Sequence, residues 1–141
     1  MAQLSQGSLN INWMLSNFVE STAGVEQAIA VSSDGLLMAI SSNMERGSAD
    51  KMAAVVTGMR SLSDGAARVL AKGGLNQVIV EMAGAYLFVS SISGGSAVGV
   101  VAGRNCDLGM VGYEITVLVS RFATQLTPEL IAEMKNALVT V

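Results

Sequence analysis

SADKMAAVVTGMRSLSDGAARVLAKGG, residues Ser48 to Gly74, decides how this chain is read. No proline interrupts it, and at 100° per residue its side chains sort into three groups. Met52, Val55, Met59, Leu62, Ala66, Val69 and Leu70 share one flank, the pattern of an amphipathic helix laid on a core. Thr57, Arg60, Asp64 and Arg68 are expected to point into water. Ala54, Gly58, Ser61 and Gly65 form a stripe of small side chains. Glycine inside a helix is about 1 kcal/mol less favourable than alanine. Two on one stripe therefore indicate that another backbone approaches, with a second helix the natural candidate and packing on the protein's own sheet the alternative. Ser48 is the expected N-cap, Asp50 meets the positive end of the helix dipole, and Lys72 with Gly73-Gly74 is the stop. About 24 residues at 1.5 Å each make a rod of roughly 36 Å, long enough to cross a sheet.

Before this helix, Val25 to Val31 and Leu36 to Ile40 read as strands joined by Ser32-Ser33-Asp34-Gly35, a strong hairpin signal, and Ser41 to Gly47 reads as a polar loop. After it, Asn76 to Met82, Tyr86 to Ile92 and Ala97 to Ala102 read as an antiparallel meander with Gly-rich turns. A first helix, capped by Asn10, carries Ile11, Met14, Leu15, Phe18 and Val19 at helical spacing, with Trp13 at the edge of that face. Asp107 caps a later helix with Leu108, Val111, Ile115, Leu118, Val119 and Phe122 on one side. Thr127-Pro128 opens a tail helix whose stripe is Leu130, Ile131, Met134, Ala137 and Leu138. Core cover is the first reading of that stripe, and partner docking the second.

Composition narrows the function. At 141 residues the chain is expected to be one domain, 1–141, with a core of about 10–123 and a helical extension of about 127–141. A net charge of -3 with eight Lys and Arg argues against a nucleic-acid surface. No apolar run approaches the ~18 residues of a membrane span, and Met1 to Asn10 lacks the basic and apolar regions of a secretory signal. With one cysteine, Cys106, and hence no intrachain disulfide, the expectation is a soluble, cytoplasmic protein.

The usual catalytic chemistry is missing. There is no histidine, which removes the commonest general base, the usual triads and most zinc sites. A thiolate at Cys106 would be reactive only in the right electropositive setting; a structural thiol is the better reading. Ser93-Gly94-Gly95-Ser96 lacks the Gly-Lys-Ser/Thr of a phosphate loop and reads as a hairpin turn. No activity, metal or cofactor of its own is expected. Arg60 and Arg68 could be read as arginine fingers for a partner GTPase, but a solvated helix face is preferred.

The element order, the hairpin Val31-Ser32-Ser33-Asp34-Gly35-Leu36, the long helix and the ending Gly103-Arg104-Asn105-Cys106-Asp107-Leu108-Gly109 resemble the Roadblock family, the dynein light chain Roadblock type, over about Ile11 to Phe122. Within it the chain looks similar to stand-alone actinobacterial members, themselves similar to the gliding-motility protein that partners a Ras-like GTPase. The resemblance implies an α+β, profilin-like fold: a five-stranded antiparallel sheet with the long helix on one face, the first and last core helices on the other, and here an added C-terminal helix. It also implies a homodimer in which third strands pair edge to edge while long helices lie side by side. On this chain those surfaces would be Ala54, Gly58, Ser61 and Gly65 on the helix and Gln77, Ile79 and Glu81 on the strand. Thr57, Arg60, Asp64 and Arg68 would be the candidate contacts for a small Ras-like GTPase. The implied function is a non-enzymatic regulatory or scaffold subunit tuning that GTPase's nucleotide cycle or localisation in bacterial signalling. Rival readings are a small-ligand sensor, which needs a polar-lined pocket between sheet and helix, and a structural assembly module indifferent to nucleotide.

Overall fold

In the computed structural model, residues 5–41 and 43–139 are described; Ser42 of the expected polar loop and the ends of the chain, 1–4 and 140–141, lie outside them. The elements are α1 (Gln6–Ser21), β1 (Val25–Val31), β2 (Leu37–Ile40), α2 (Arg46–Leu70), β3 (Gln77–Glu81), β4 (Ala85–Ser91), β5 (Ala97–Gly103), α3 (Leu108–Gln125) and α4 (Pro128–Val139). The five strands form one antiparallel sheet in the order β2-β1-β5-β4-β3. The fold is α+β. The meander and hairpin expected from the turns are present, and Ser93–Gly95 is a single turn of 3-10 helix joining β4 to β5, with positive φ at Gly94 and Gly95.

Two apolar cores flank the sheet. On one face Ile11, Leu15 and Phe18 of α1 and Val111, Ile115 and Phe122 of α3 pack against Ala28, Phe88 and Val100. Asp107 caps α3 as expected, accepting from the Met110 N–H, while Leu108 at its start is partly exposed rather than in the core. Cys106 is half-buried beside this core. On the other face Ala49, Ala53 and Val56 of α2 pack against Ile29, Val31, Leu87, Val89 and Ala97. Two helices begin a turn earlier than their expected caps. Ser5, not Asn10, caps α1 by accepting from the Ser8 N–H, and Glu45, not Ser48, caps α2 by accepting from the Gly47 N–H. At the other end of α2, Ala71 in the left-handed region closes the helix ahead of Gly73.

The orientation of α2 corrects the expectation for its faces. Val55, Leu62, Ala66, Val69 and Leu70 were expected on the core and instead are exposed; only Met52 and Met59 of that flank are partly covered. The inward line is Ala49, Ala53 and Val56. It is built from small residues because α2 lies close on the sheet at Gly99, where an added Cβ would stand 2.5 Å from Val56 Cγ2. The polar flank is displaced as well. At 100° per residue Arg60 projects within about 20° of Ala49, so it lies at the sheet side of the helix and not in open water.

The tail helix α4 runs along β2 and against α1. Met134 is buried in the α1/α3 core and Leu138 packs on the α2 core, so the helix passes around the β2 edge from one face to the other. Polar contacts fix it: Lys135 Nζ to Asp34 Oδ2 at 3.0 Å, the Arg46 guanidinium to Leu138 O at 2.5 Å, and the Ser5 and Ser8 hydroxyls to Glu133. Exposed strand edges invite unwanted pairing unless they are covered or used. Core cover is thus the role α4 fills, and β3 is left as the uncovered edge.

Candidate functional site

The surface that the fold leaves unfinished joins the outward face of α2 to the edge of β3. Gly58 projects about 180° from Ala49 on α2. No atom lies within 4 Å of a Cβ placed on Gly58 or Gly65, so the small stripe does not seat α2 on its own sheet. Ala54 and Ser61 are also exposed. Beside the glycines stand Leu62 at 78% and Val69 at 85% exposure, with Val55 and Leu70 exposed as well. A helix that packs on its own sheet through one face and presents glycine, leucine and valine to water on the other has an apolar surface in want of cover. These large apolar residues belong to the outward face, and sequence reading placed them inside.

The polar flank does not form one free face. Arg60 Nη1 meets Asp64 Oδ2 at 2.6 Å, with side chains only 17% and 27% exposed. Thr57 Oγ1 donates to Ala53 O at 2.8 Å and sits over Gly35 in the β1–β2 turn. Arg68, near the end of α2, is exposed. The Arg60 guanidinium is therefore engaged within its own helix, which favours a structural role over a projecting finger.

Strand β3 bears Gln77, Ile79 and Glu81 on the α3 face; Ile79 is 47% exposed. Each face of the strand is indented. A groove of about 670 Å³ lies between β3, β4 and α3, with Asn76, Gln77, Ser90, Thr116 and Ser120 among neutral polar linings and Tyr113 exposed on its rim. A second, of about 520 Å³, lies between the last turns of α2 and the Gly73-Gly74 approach to β3. The exposed residues Tyr113 and Leu108 of α3 were not anticipated as site residues; Tyr113 projects about 160–200° from the buried Val111, Ile115 and Phe122 stripe, whereas Leu108 keeps the spacing of that stripe and is exposed at the first turn of the helix. Among the described residues no group of three or more potential metal-ligating side chains occurs, and no helix is long and apolar enough to cross a membrane.

The Roadblock/LC7 domain family model matches residues 11–102. The chain belongs to the Roadblock/LC7 family. The match runs from α1 into β5 and so takes in the outward face of α2 and the whole of β3. A Roadblock/LC7 domain structure from Streptomyces avermitilis is 33% identical, with a TM-score of 0.75, over 80% of this chain and 94% of that one. MglB of Myxococcus xanthus, 14% identical, shares the fold with a TM-score of 0.77 over 88% of this chain and 92% of that one. Profilin IB of Acanthamoeba castellanii, 13% identical, shares it more loosely, with a TM-score of 0.60 over 81% and 97%. A search of curated proteins finds no match to the sequence. In this Roadblock/LC7 chain, α3 and α4 lie past the matched segment, and α4 covers the sheet edge opposite β3.

Proposed function

We propose that this Roadblock/LC7 chain is a non-enzymatic regulatory or scaffold subunit that forms a homodimer and, as a dimer, binds a small Ras-like GTPase, tuning its nucleotide cycle or its placement in a bacterial cytoplasmic signalling system. The observation that carries the dimer is the outward face of α2. Exposed Val55, Leu62 and Val69 flank two glycines with open space above them, next to the one sheet edge that α4 does not cover. Burying exposed aliphatic side chains is favourable at about 25 cal/mol per Å², and glycines let two helices approach. The GTPase follows from the family resemblance, with Arg68 and the rim around Arg60 and Asp64 as candidate contacts.

Calorimetry of the dimer with small Ras-like GTPases from the same organism, each loaded with GDP or a GTP analogue, tests this. Binding that differs between the two states by tenfold or more, about 1.4 kcal/mol, supports regulation, since a partner indifferent to state cannot shift it. No binding to either state sinks the GTPase reading, and equal binding selects a structural assembly module. The neutral polar lining of the groove between β3, β4 and α3 favours a second reading, a small-ligand sensor. A ligand-dependent rise in melting temperature that Thr116→Leu abolishes would select it.

A further inference from the structure

Trp13 takes no part in the surface formed by α2 and β3. It is the sole tryptophan of the chain and is 63% exposed, although tryptophan is highly buried on average. It stands on α1, across the sheet from α2, and borders a slot of about 80 Å³ between α1 and α3. The floor of the slot is apolar, made by Met14, Phe18 and Leu118, all buried in the core beneath. Asn17 of α1 and Glu114 and Arg121 of α3 supply polar walls, with half-buried Val117 beside them. Both helices are packed on the sheet, and Ser5 at the start of α1 is held by Glu133 of α4, so the walls are fixed before anything binds.

Size and hydrogen-bonding capacity narrow the occupant. Drug-sized ligands fill pockets of about 300–1,000 Å³, and a helix with its side chains is about 10–12 Å across. The slot takes one small ring or branched group at a time, which suits an extended chain laid over it. The indole Nε1–H of Trp13, the Asn17 amide and the Arg121 guanidinium all donate. Ser21, at the end of the slot, spends its hydroxyl proton on Asn17 O at 2.7 Å. Walls rich in donors call for a ligand rich in acceptors. A polyproline II chain is one, because it makes no internal hydrogen bonds, its carbonyls stay free, and proline has no N–H to leave unpaired. The proline ring also packs flat on an indole face, as in other aromatic-lined grooves that read such chains.

We infer that the slot between α1 and α3 docks a proline-rich peptide in the polyproline II conformation, with a lysine or arginine at one end. A proline ring lies on the Trp13 indole, and the peptide carbonyls accept from Trp13 Nε1, Asn17 and Arg121. The charge of the slot sets the basic flank. Glu114 lines it, and Glu20 falls within about 20° of Trp13 on α1. Among the described residues no ion pair engages Glu114, Glu20 or Arg121, so two carboxylates face one guanidinium with no other cation paired to them. From Trp13 to Ser21 the α1 wall runs about 12 Å at 1.5 Å per residue, the length of about four residues of polyproline II at 3.1 Å each. The site lies on the face of the sheet away from α2 and rests on neither the homodimer nor the GTPase.

Trp13 reports on its own site, since the chain has no other indole. Titrating the full chain with a lysine-tailed oligoproline of about eight residues is expected to move the emission to shorter wavelength and to saturate. Calorimetry, which does not need the indole, is expected to show binding weakened about tenfold or more in Trp13→Ala. The side chain is exposed, so that variant should keep native circular dichroism. Glu114→Gln is expected to weaken the lysine-tailed peptide and to leave an untailed oligoproline unchanged. An emission that does not respond to millimolar peptide overturns the proposal, as does a folded Trp13→Ala chain that binds as tightly as the native one. Equal binding of a lysine-tailed Gly-Ser peptide would show attraction by charge alone, and equal binding of a lysine-tailed, alanine-rich helix would give the slot to a helical partner; either result also overturns it.

Discussion

A Cβ added at Gly99 would meet Val56 Cγ2 at 2.5 Å, while one added at Gly58 or Gly65 would meet nothing within 4 Å. Glycine on the sheet lets α2 lie close to its own domain; glycine on the outward face of α2 leaves room for something else. Gly99→Ala should therefore destabilise the fold by about 1–3 kcal/mol, because buried Val56 is β-branched and has no easy rotamer to retreat to. Urea unfolding should show a lower midpoint at unchanged slope; an unaltered midpoint would mean that α2 lifts from β5 freely. This contrast was only half legible in the sequence. Periodicity separates the faces of a helix, but Ala49, Ala53 and Val56 taken together, two of them alanines, are less hydrophobic than the set Val55, Leu62 and Val69. The more hydrophobic flank was read as the inner one. That rule fails when a helix has two faces to cover, one of them lying outside its own chain.

At the scale of elements, α4 is a clamp on the β2 edge, and two of its fastenings are carboxylates with depressed pKa values. Hydrogen bonds from the hydroxyls of Ser5 and then Ser8 hold the Glu133 carboxyl below its usual range. The Ser32 hydroxyl, and after it Lys135, do the same for Asp34. A depressed folded pKa contributes stability that is present above the unfolded value, near 4, and is lost as pH falls through the folded value. Between about pH 5 and pH 3, protection factors of amides in α4, corrected for intrinsic exchange, should fall ahead of those in β1 and β5, with little change around pH 7. Glu133→Gln should flatten part of that dependence, and equal protection of α4 at both ends of the range would show that apolar contacts alone hold it. The stripe of this helix and its Thr127-Pro128 start were readable from the residues, and Thr127 Oγ1 does accept from the Leu130 N–H at 3.1 Å. Its destination over β2 was not, because a stripe declares that it will be buried without saying against what.

For the whole molecule, the strand spans and the β3-β4-β5 meander were legible from turn chemistry, and the order of helices around the sheet came with the family resemblance. The covering of one sheet edge by α4, which leaves β3 free, needed coordinates, since it depends on a long-range contact between the chain's end and its first hairpin. It is this asymmetry that ties the outward face of α2 and the edge of β3 into one surface. The most direct measurement is the solution mass by light scattering of the native chain and of Gly58→Leu, a change whose added Cβ has no packed neighbour within 4 Å in its own subunit and which favours helix. The account predicts twice the 14.5 kDa chain mass for the native protein, and a folded species of single-chain mass, with native circular dichroism, for Gly58→Leu. A native chain that stays at 14.5 kDa, or a Gly58→Leu variant that associates as tightly as the native one, would contradict it.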